Sequence, residues 1–264
     1  VYLVGSYEYP WLNKKALEFA LFRTYAVPQI SQLLNRTGEF HGRGQKRYDD
    51  TSLIIAEITE NGYDSERGRD AIRIMNRMHR QYDISNEAML YVLSTFIFEP
   101  IRWNTRYGWR TPTMHENLAN YYFWVEVGKR MGIKDIPDSI EAYEQFNIDF
   151  EREHFVYDDA NQAVANQTIK IMQGWYPAFL APSVRDAVYA MLDEPLRKAF
   201  GFPKGKPWLT WTADKGLKLV AKIMRYLPPR IEPFSLTAQY NRTYPHGYEI
   251  EKLGTGSHKT NEHI

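Results

Sequence analysis

The chain of 264 residues contains no cysteine. Disulfides, thiolate zinc sites, iron–sulfur clusters and a thiolate-held haem iron are therefore all excluded, and any metal must be held by His, carboxylate, Tyr, Lys or Met. An excess of one charge is also missing: 33 Lys+Arg oppose 32 Asp+Glu, for a net +1. Nucleic acid is not an expected partner, because phosphate binding leaves a basic footprint and no long basic block occurs. The longest nearly unbroken apolar run, Ala88 to Phe98, falls well short of the ~18 residues of a membrane span. A signal-peptide pattern, an internal repeat and a low-complexity block are absent too. Aromatic residues are abundant at 15%, with 7 Trp and 19 Tyr. Such a chain can line a large apolar pocket or build a heavy core. It opens on Val1, which carries the expectation of an upstream segment holding an anchor or localisation signal.

Helical punctuation dominates the pattern, and alternating strand signals are scarce. Helices are expected at about 14–34 with a kink before Pro28, 47–61 ending at Gly62, 65–81 capped by Asp64 or Ser65, and 85–98 broken at Pro100. A Gly-rich basic loop, 41–46, separates the first two. Further helices are expected at about 114–131, 139–154, 158–175, 183–200 and 213–227, with Pro and Gly clusters between them. The class is all-α, with one domain over 1–230 and an irregular, turn-rich tail over 231–264.

The third helix carries the most informative side chain. His79 lies four residues after Met75 and seven after Ile72, so one imidazole points where a core is expected, with Gly68 a turn further back. The commoner explanation is a core histidine satisfied by a carbonyl, and the sharper one is a metal or haem ligand. Spacing alone does not choose. On the preceding helix Arg47, Asp50 and Thr51 fall at i, i+3 and i+4 beside Ile54, Ile55 and Ile58. They form either a capping carboxylate with an ion-pair partner, or a polar row against an apolar wall that can hydrogen-bond a ligand.

These segments resemble one family. The order Phe22-Arg23-Thr24-Tyr25-Ala26-Val27-Pro28, then Arg47-Tyr48-Asp49-Asp50-Thr51, then Arg73 to His79 is similar to the rubber oxygenase (latex clearing protein) and mycophenolic acid synthesis protein B family. Phe98-Glu99-Pro100-Ile101-Arg102-Trp103, Arg106-Tyr107-Gly108-Trp109-Arg110, Phe123 to Gly128 and Met131 to Pro137 strengthen the likeness to the fungal branch, over roughly residues 8 to 225. The resemblance implies a globin-like helical domain enclosing haem b, with His79 as the proximal iron ligand. It also implies oxidative cleavage of a carbon–carbon double bond by dioxygen, giving two carbonyl ends. The family's distal Arg-x-x-Lys-Thr row falls on Arg47, Asp50 and Thr51, the expected catalytic set. Asp50 replaces the lysine, so a lysine-capped state of the iron is not expected here, and a carboxylate could instead orient water, accept a proton or pair with Arg47. Glu18 and Glu39 are the candidates for the family's catalytic glutamate. Arg43, Arg102 and Arg106 are candidates, by chemistry, to pair haem propionates.

The fungal branch includes an enzyme bound to the endoplasmic reticulum that cleaves a prenyl side chain. The resemblance thus implies a lipophilic small-molecule substrate with dioxygen, and a secretory-pathway location, either membrane-associated through an upstream segment or secreted. Sequons at Asn35, Asn166 and Asn241 would permit glycosylation there. Lys215, Lys218, Lys222 and Arg225 give the last helix a basic face opposite Leu217, Val220, Ile223 and Met224, either a solvated face or a membrane-surface one. Other readings are a haem peroxidase or phenol oxidase, and a non-catalytic haem- or lipid-binding module. Glu151-x-x-His154 has di-iron spacing but no second such pair. His41, His115, His246, His258 and His263 form no metal-spaced pair, and Gly254-x-Gly256 is no phosphate loop. Tyr121 to Trp124 is expected to fill the core, with an edge on the substrate cavity.

Overall fold

The computed structural model describes residues 1–254; His258, His263 and Gly256 lie outside the described residues. Helices follow in the order α1 (Pro10–Tyr25), α2 (Pro28–Arg36), α3 (Glu39–Gly42), α4 (Gly44–Asn61), α5 (Glu66–His79), α6 (Asn86–Tyr107), α7 (Met114–Arg130), α8 (Ile140–His154), α9 (Asp159–Gln173), α10 (Ala181–Met191), α11 (Glu194–Ala199) and α12 (Pro207–Met224). Short turns of π-helix at Val4–Glu8 and of 3-10 helix at Ala178–Leu180 and Ile250–Lys252 complete the set. No strand occurs among the described residues, so the all-α class holds.

Side chains on the sequence's own cap residues start the helices. Ser65, Ser85, Ser139, Asp158 and Asp193 each accept a backbone N–H of the first turn, and Thr113 forms a reciprocal box with Glu116. At Pro28 the expected kink is a full break. Val27 is extended (ψ 112°), because the proline ring disfavours helical geometry in the residue before it, and Pro28 opens α2. The 183–200 helix likewise divides, since Leu192 is extended and Asp193 caps a new helix whose first turn holds Pro195. The 41–46 loop is mostly helical, in α3 and the first turn of α4.

Pro100 does not break the fourth helix: α6 runs through it to Tyr107. The missing N–H and the ring disturb the preceding turn, where the Asn120 side chain from α7 donates to the Ile97 carbonyl at 3.0 Å. Packing of α6 against α1, α7 and α8 holds the helix in register through the defect.

Two apolar cores flank the α1–α6 contact. Side chains of α4, α5, α6, α7 and α8 form one, and those of α1, α3, α9, α10 and α11 form the other. Gly68 brings α5 against the end of α4: a Cβ there would stand 1.9 Å from the Gly62 carbonyl oxygen. Gly62 itself takes φ 83°, which glycine adopts without a Cβ clash.

The tail is irregular but packed. Ile250 and Leu253 enter the first core, and carboxylates on one side of α4 hold the chain between. Asp49 accepts from the N–H (3.1 Å) and hydroxyl of Thr243, and Glu57 accepts from the Tyr248 hydroxyl. Glu60 accepts from Ser235, Leu236 and Thr237. By contrast α12 buries no residue fully, and no helix among the described residues is long and apolar enough to cross a membrane.

Candidate functional site

A cavity of about 230 Å³ lies where α1, α2, α4, α5, α6 and α9 converge. Its wall is largely apolar, with Leu33, Ile54, Met75, Met78, Phe96 and Trp124 among the lining residues. Four candidate site side chains singled out by the sequence face it: His79 from the end of α5, Arg47 and Thr51 from α4, and Glu39 from α3. Arg47 and Thr51, one helical turn apart, point the same way as Ile54 and Ile55.

His79 carries the chemistry. Nδ1 of its ring is buried without a hydrogen-bond partner. Burial, and secondarily the nearby Arg47 cation, lower its pKa to about 4, so the ring is neutral near neutral pH and keeps a lone pair. Arg47 stands with its guanidinium 5.5 Å from the Phe40 ring centre, and its Nε is buried without a partner. Tyr25, on the same cavity, is pushed up to about 12 by burial and stays a neutral phenol. Orphaned buried donors are rare in folded proteins and point to a missing partner.

Asp50 does not line this cavity. Its carboxylate turns to the tail, where Lys46 (2.6 Å), the Tyr244 hydroxyl (2.5 Å) and the Gly254 N–H (3.1 Å) fill its acceptor positions. Nor does the fold bring Arg102 and Arg106 to the cavity. Arg102 pairs with Glu99 (3.1 Å) and bonds Asn147, while Arg106 pairs with Asp214 (2.9 Å). Arg43 pairs with Glu39 and, with Lys46, Arg47 and Thr51, lines a small adjoining cavity. Glu39 faces the main cavity. Glu18 lies buried on α1, accepting from Lys15 (2.7 Å) and from Tyr48 (2.9 Å).

Tyr48, Met78 and Phe96 were not singled out by the sequence pattern as cavity wall; for Phe96 the apolar side of α6 was the available signal. Trp124 meets both expectations, filling the core and forming cavity wall. Glu151 serves a different purpose from metal binding: it accepts from Arg23, while His154 Nδ1 bonds the Phe150 carbonyl at 3.0 Å.

The donor set can be tested against haem. No group of three or more His, Asp or Glu among the described residues could hold a bare metal ion. One neutral imidazole in an apolar cavity suits an iron whose other donors come from a porphyrin. The flat hydrocarbon faces of such a group match the Met, Leu and Ile walls, and its carboxylates match Arg47, whose Nε has no partner, with Arg43 and Lys46 alongside, each paired to a carboxylate of the same small cavity. The residues present fit the group.

Comparison with known proteins gives the family. The family described as ER-bound oxygenase mpaB/B'/Rubber oxygenase, catalytic domain, matches residues 19–227. The chain is 31% identical over 248 residues to the ER-bound oxygenase mpaB' of Penicillium brevicompactum, covering 86% of this chain and 58% of that relative. It is also 31% identical over 210 residues to the ER-bound oxygenase mpaB of Penicillium roqueforti (strain FM164), covering 73% and 70%. For mpaB of Penicillium brevicompactum the figures are 31% over 187 residues, 64% and 48%. The chain therefore spans about half to two thirds of the length of these relatives.

Proposed function

Because the chain belongs to the family of ER-bound mpaB oxygenases and rubber oxygenase catalytic domains, we propose that it is an oxygenase holding haem b on His79. Its substrate is an apolar alkene or a prenylated small molecule, cleaved by dioxygen at the double bond into two carbonyl ends. The observation that carries this reading is the partnerless His79 ring in an apolar cavity, facing Arg47 and Thr51.

Haem, when bound, supplies the redox chemistry that activates dioxygen. Burial keeps the imidazole neutral and so available as a ligand. From α4, the Arg47 guanidinium and the Thr51 hydroxyl offer hydrogen bonds to polar atoms inside a largely apolar space. Asp50 lines the small adjoining cavity, where it fixes Lys46 and the Gly254 end of the tail. In that cavity Arg43, Lys46 and Arg47 would receive the haem carboxylates.

The relatives' names place them at the endoplasmic reticulum, and a membrane-associated life suits a lipophilic substrate. The supporting surface is α12, where Trp208, Trp211, Leu219 and Ile223 are exposed beside Lys215, Lys218 and Lys222.

A visible spectrum tests the core of this reading. The purified protein should show a Soret band that is lost in His79→Ala while the far-UV circular dichroism is kept. A colourless protein after haem reconstitution would overturn it. Dioxygen uptake with an alkene, set against phenol oxidation with peroxide, then separates an oxygenase from a peroxidase.

A further inference from the structure

A second apolar cavity, of about 150 Å³, stands beside the one that holds His79. Leu21, Tyr48, Thr51, Ile55, Phe96 and Trp124 line both, so one layer of side chains divides them. His79 faces only the larger space, whereas Thr51 faces both. On its far side the second cavity is walled by Leu17, Ser52, Ala56 and Pro100. Its buried carboxylate, Glu18, already accepts from Lys15 and Tyr48, while Lys14, Glu60 and the Val1 end give the cavity a polar rim.

The tail roofs this cavity with Phe234 and Leu236. The Phe234 N–H donates to the Ser6 carbonyl at 2.8 Å. Everything else that pins the roof converges on one carboxylate. Glu60 Oε1 accepts from the Leu236 N–H at 2.6 Å and from the Thr237 N–H at 3.4 Å, while Oε2 accepts from the hydroxyls of Ser235 (2.7 Å) and Thr237 (2.6 Å).

We propose that this second cavity is the chamber for the hydrocarbon chain of the substrate, and that residues 234–237 are its removable roof, latched by Glu60. The substrate assignment rests on the oxygenase reading; the binding of an apolar chain does not. Each methylene taken from water into such a space contributes about 0.8 kcal/mol, so an apolar chain is the ligand this wall favours. A chain seated there reaches the septum at Thr51, which puts the bond next to the septum within reach of the His79 cavity. Glu60 lines the rim of the chamber and accepts four of the five hydrogen bonds that hold the roof, the fifth being that of the Phe234 N–H to Ser6, so one change at Glu60 loosens it.

The test uses 1-decanol as probe, with affinity read by calorimetry on the purified protein and release by stopped-flow. Ala56→Phe and Ser52→Phe fill the chamber from residues that do not line the His79 cavity, and either should weaken decanol binding by about tenfold or more. Glu60→Ala should speed decanol release several-fold. Unchanged affinity in both filled variants, with helical circular dichroism retained, overturns the chamber. Should the filled variants not fold, Glu60→Ala decides: an unaltered release rate overturns the proposal. The two readings fail separately. A protein that binds decanol in a chamber blocked by Ala56→Phe but shows no Soret band sinks only the haem assignment. One that has the Soret band but binds decanol equally well in both filled variants sinks only the chamber.

Discussion

Glu116 shows how much one side chain of this protein can hold. It closes the start of α7 by accepting from the Thr113 N–H (2.8 Å), and it takes a two-pronged pair from Arg110 (2.7 and 2.8 Å). The Arg110 pair, followed by the Thr113 donors, lowers its carboxyl to about 2 from an ordinary value of 4.5. A group depressed on folding stabilises above its unfolded value and loses that contribution as the pH falls through the folded one. The site is open to solvent, so the contribution at neutral pH is about 1 kcal/mol. Glu116→Gln should lower stability by that amount in urea titrations at about pH 7, with the gap from wild type closing as the pH falls from about 4.5 toward about 2. A gap that stays constant would assign the loss to packing instead. Asp50 marks where such residue-level reasoning stops working. Its spacing from Arg47 and Thr51 is that of a shared face, but its direction is set by Tyr244 and Gly254, 194 and 204 positions along the chain. Nothing local encodes those partners.

Among the elements, those with a cap residue and a short apolar period were legible. Ser65, Ser85, Thr113, Ser139 and Asp158 mark observed helix starts, and the α5 face that carries Met75 and His79 is the one the structure turns to the cavity. Prolines were misjudged where tertiary packing decides. Pro100 is carried inside α6 by its neighbours, while Pro195 starts a helix that the apolar pattern alone would have run through. The other unread feature is the acidic side of α4. Asp49, Asp50, Glu57 and Glu60 resemble a solvated face, yet they are the clasp for the tail, and Glu57 is 0% exposed. Glu57 accepts from Arg67 (2.8 Å), Asn61 (2.9 Å) and Tyr248 (2.5 Å). Glu57→Ala leaves those donors without a partner and should cost about 2–4 kcal/mol. Amide hydrogen exchange should then quicken over 244–253 while α6 stays protected. Unaltered exchange in that stretch would show that Ile250 and Leu253 hold the tail by packing alone.

At the scale of the molecule, the arrangement is lopsided. Most helices converge on the two neighbouring cavities, whereas α12 lies against α10 and α6 through a thin stripe. Leu217 packs beside Trp103 and Tyr107, but Leu219, Val220, Ile223 and Met224 stay exposed, as do Trp208 and Trp211. A soluble surface rarely leaves so many large apolar groups together, and Lys215, Lys218, Lys222 and Arg225 border them. Apolar side chains, indole rings and lysines on one exposed helix are the composition that settles into the headgroup layer of an anionic bilayer. The proposed surface association therefore predicts co-sedimentation of the protein with phosphatidylserine-containing vesicles, weakening as salt is raised. Two neutralised lysines, Lys218→Gln with Lys222→Gln, should weaken binding roughly thirtyfold, at about 1 kcal/mol for each cation near the surface. Ile223→Asp should weaken it even at low salt. Exposed as these positions are, each variant should keep wild-type thermal stability and absorption spectrum. Vesicle binding that ignores both changes would place the membrane contact on another part of the molecule.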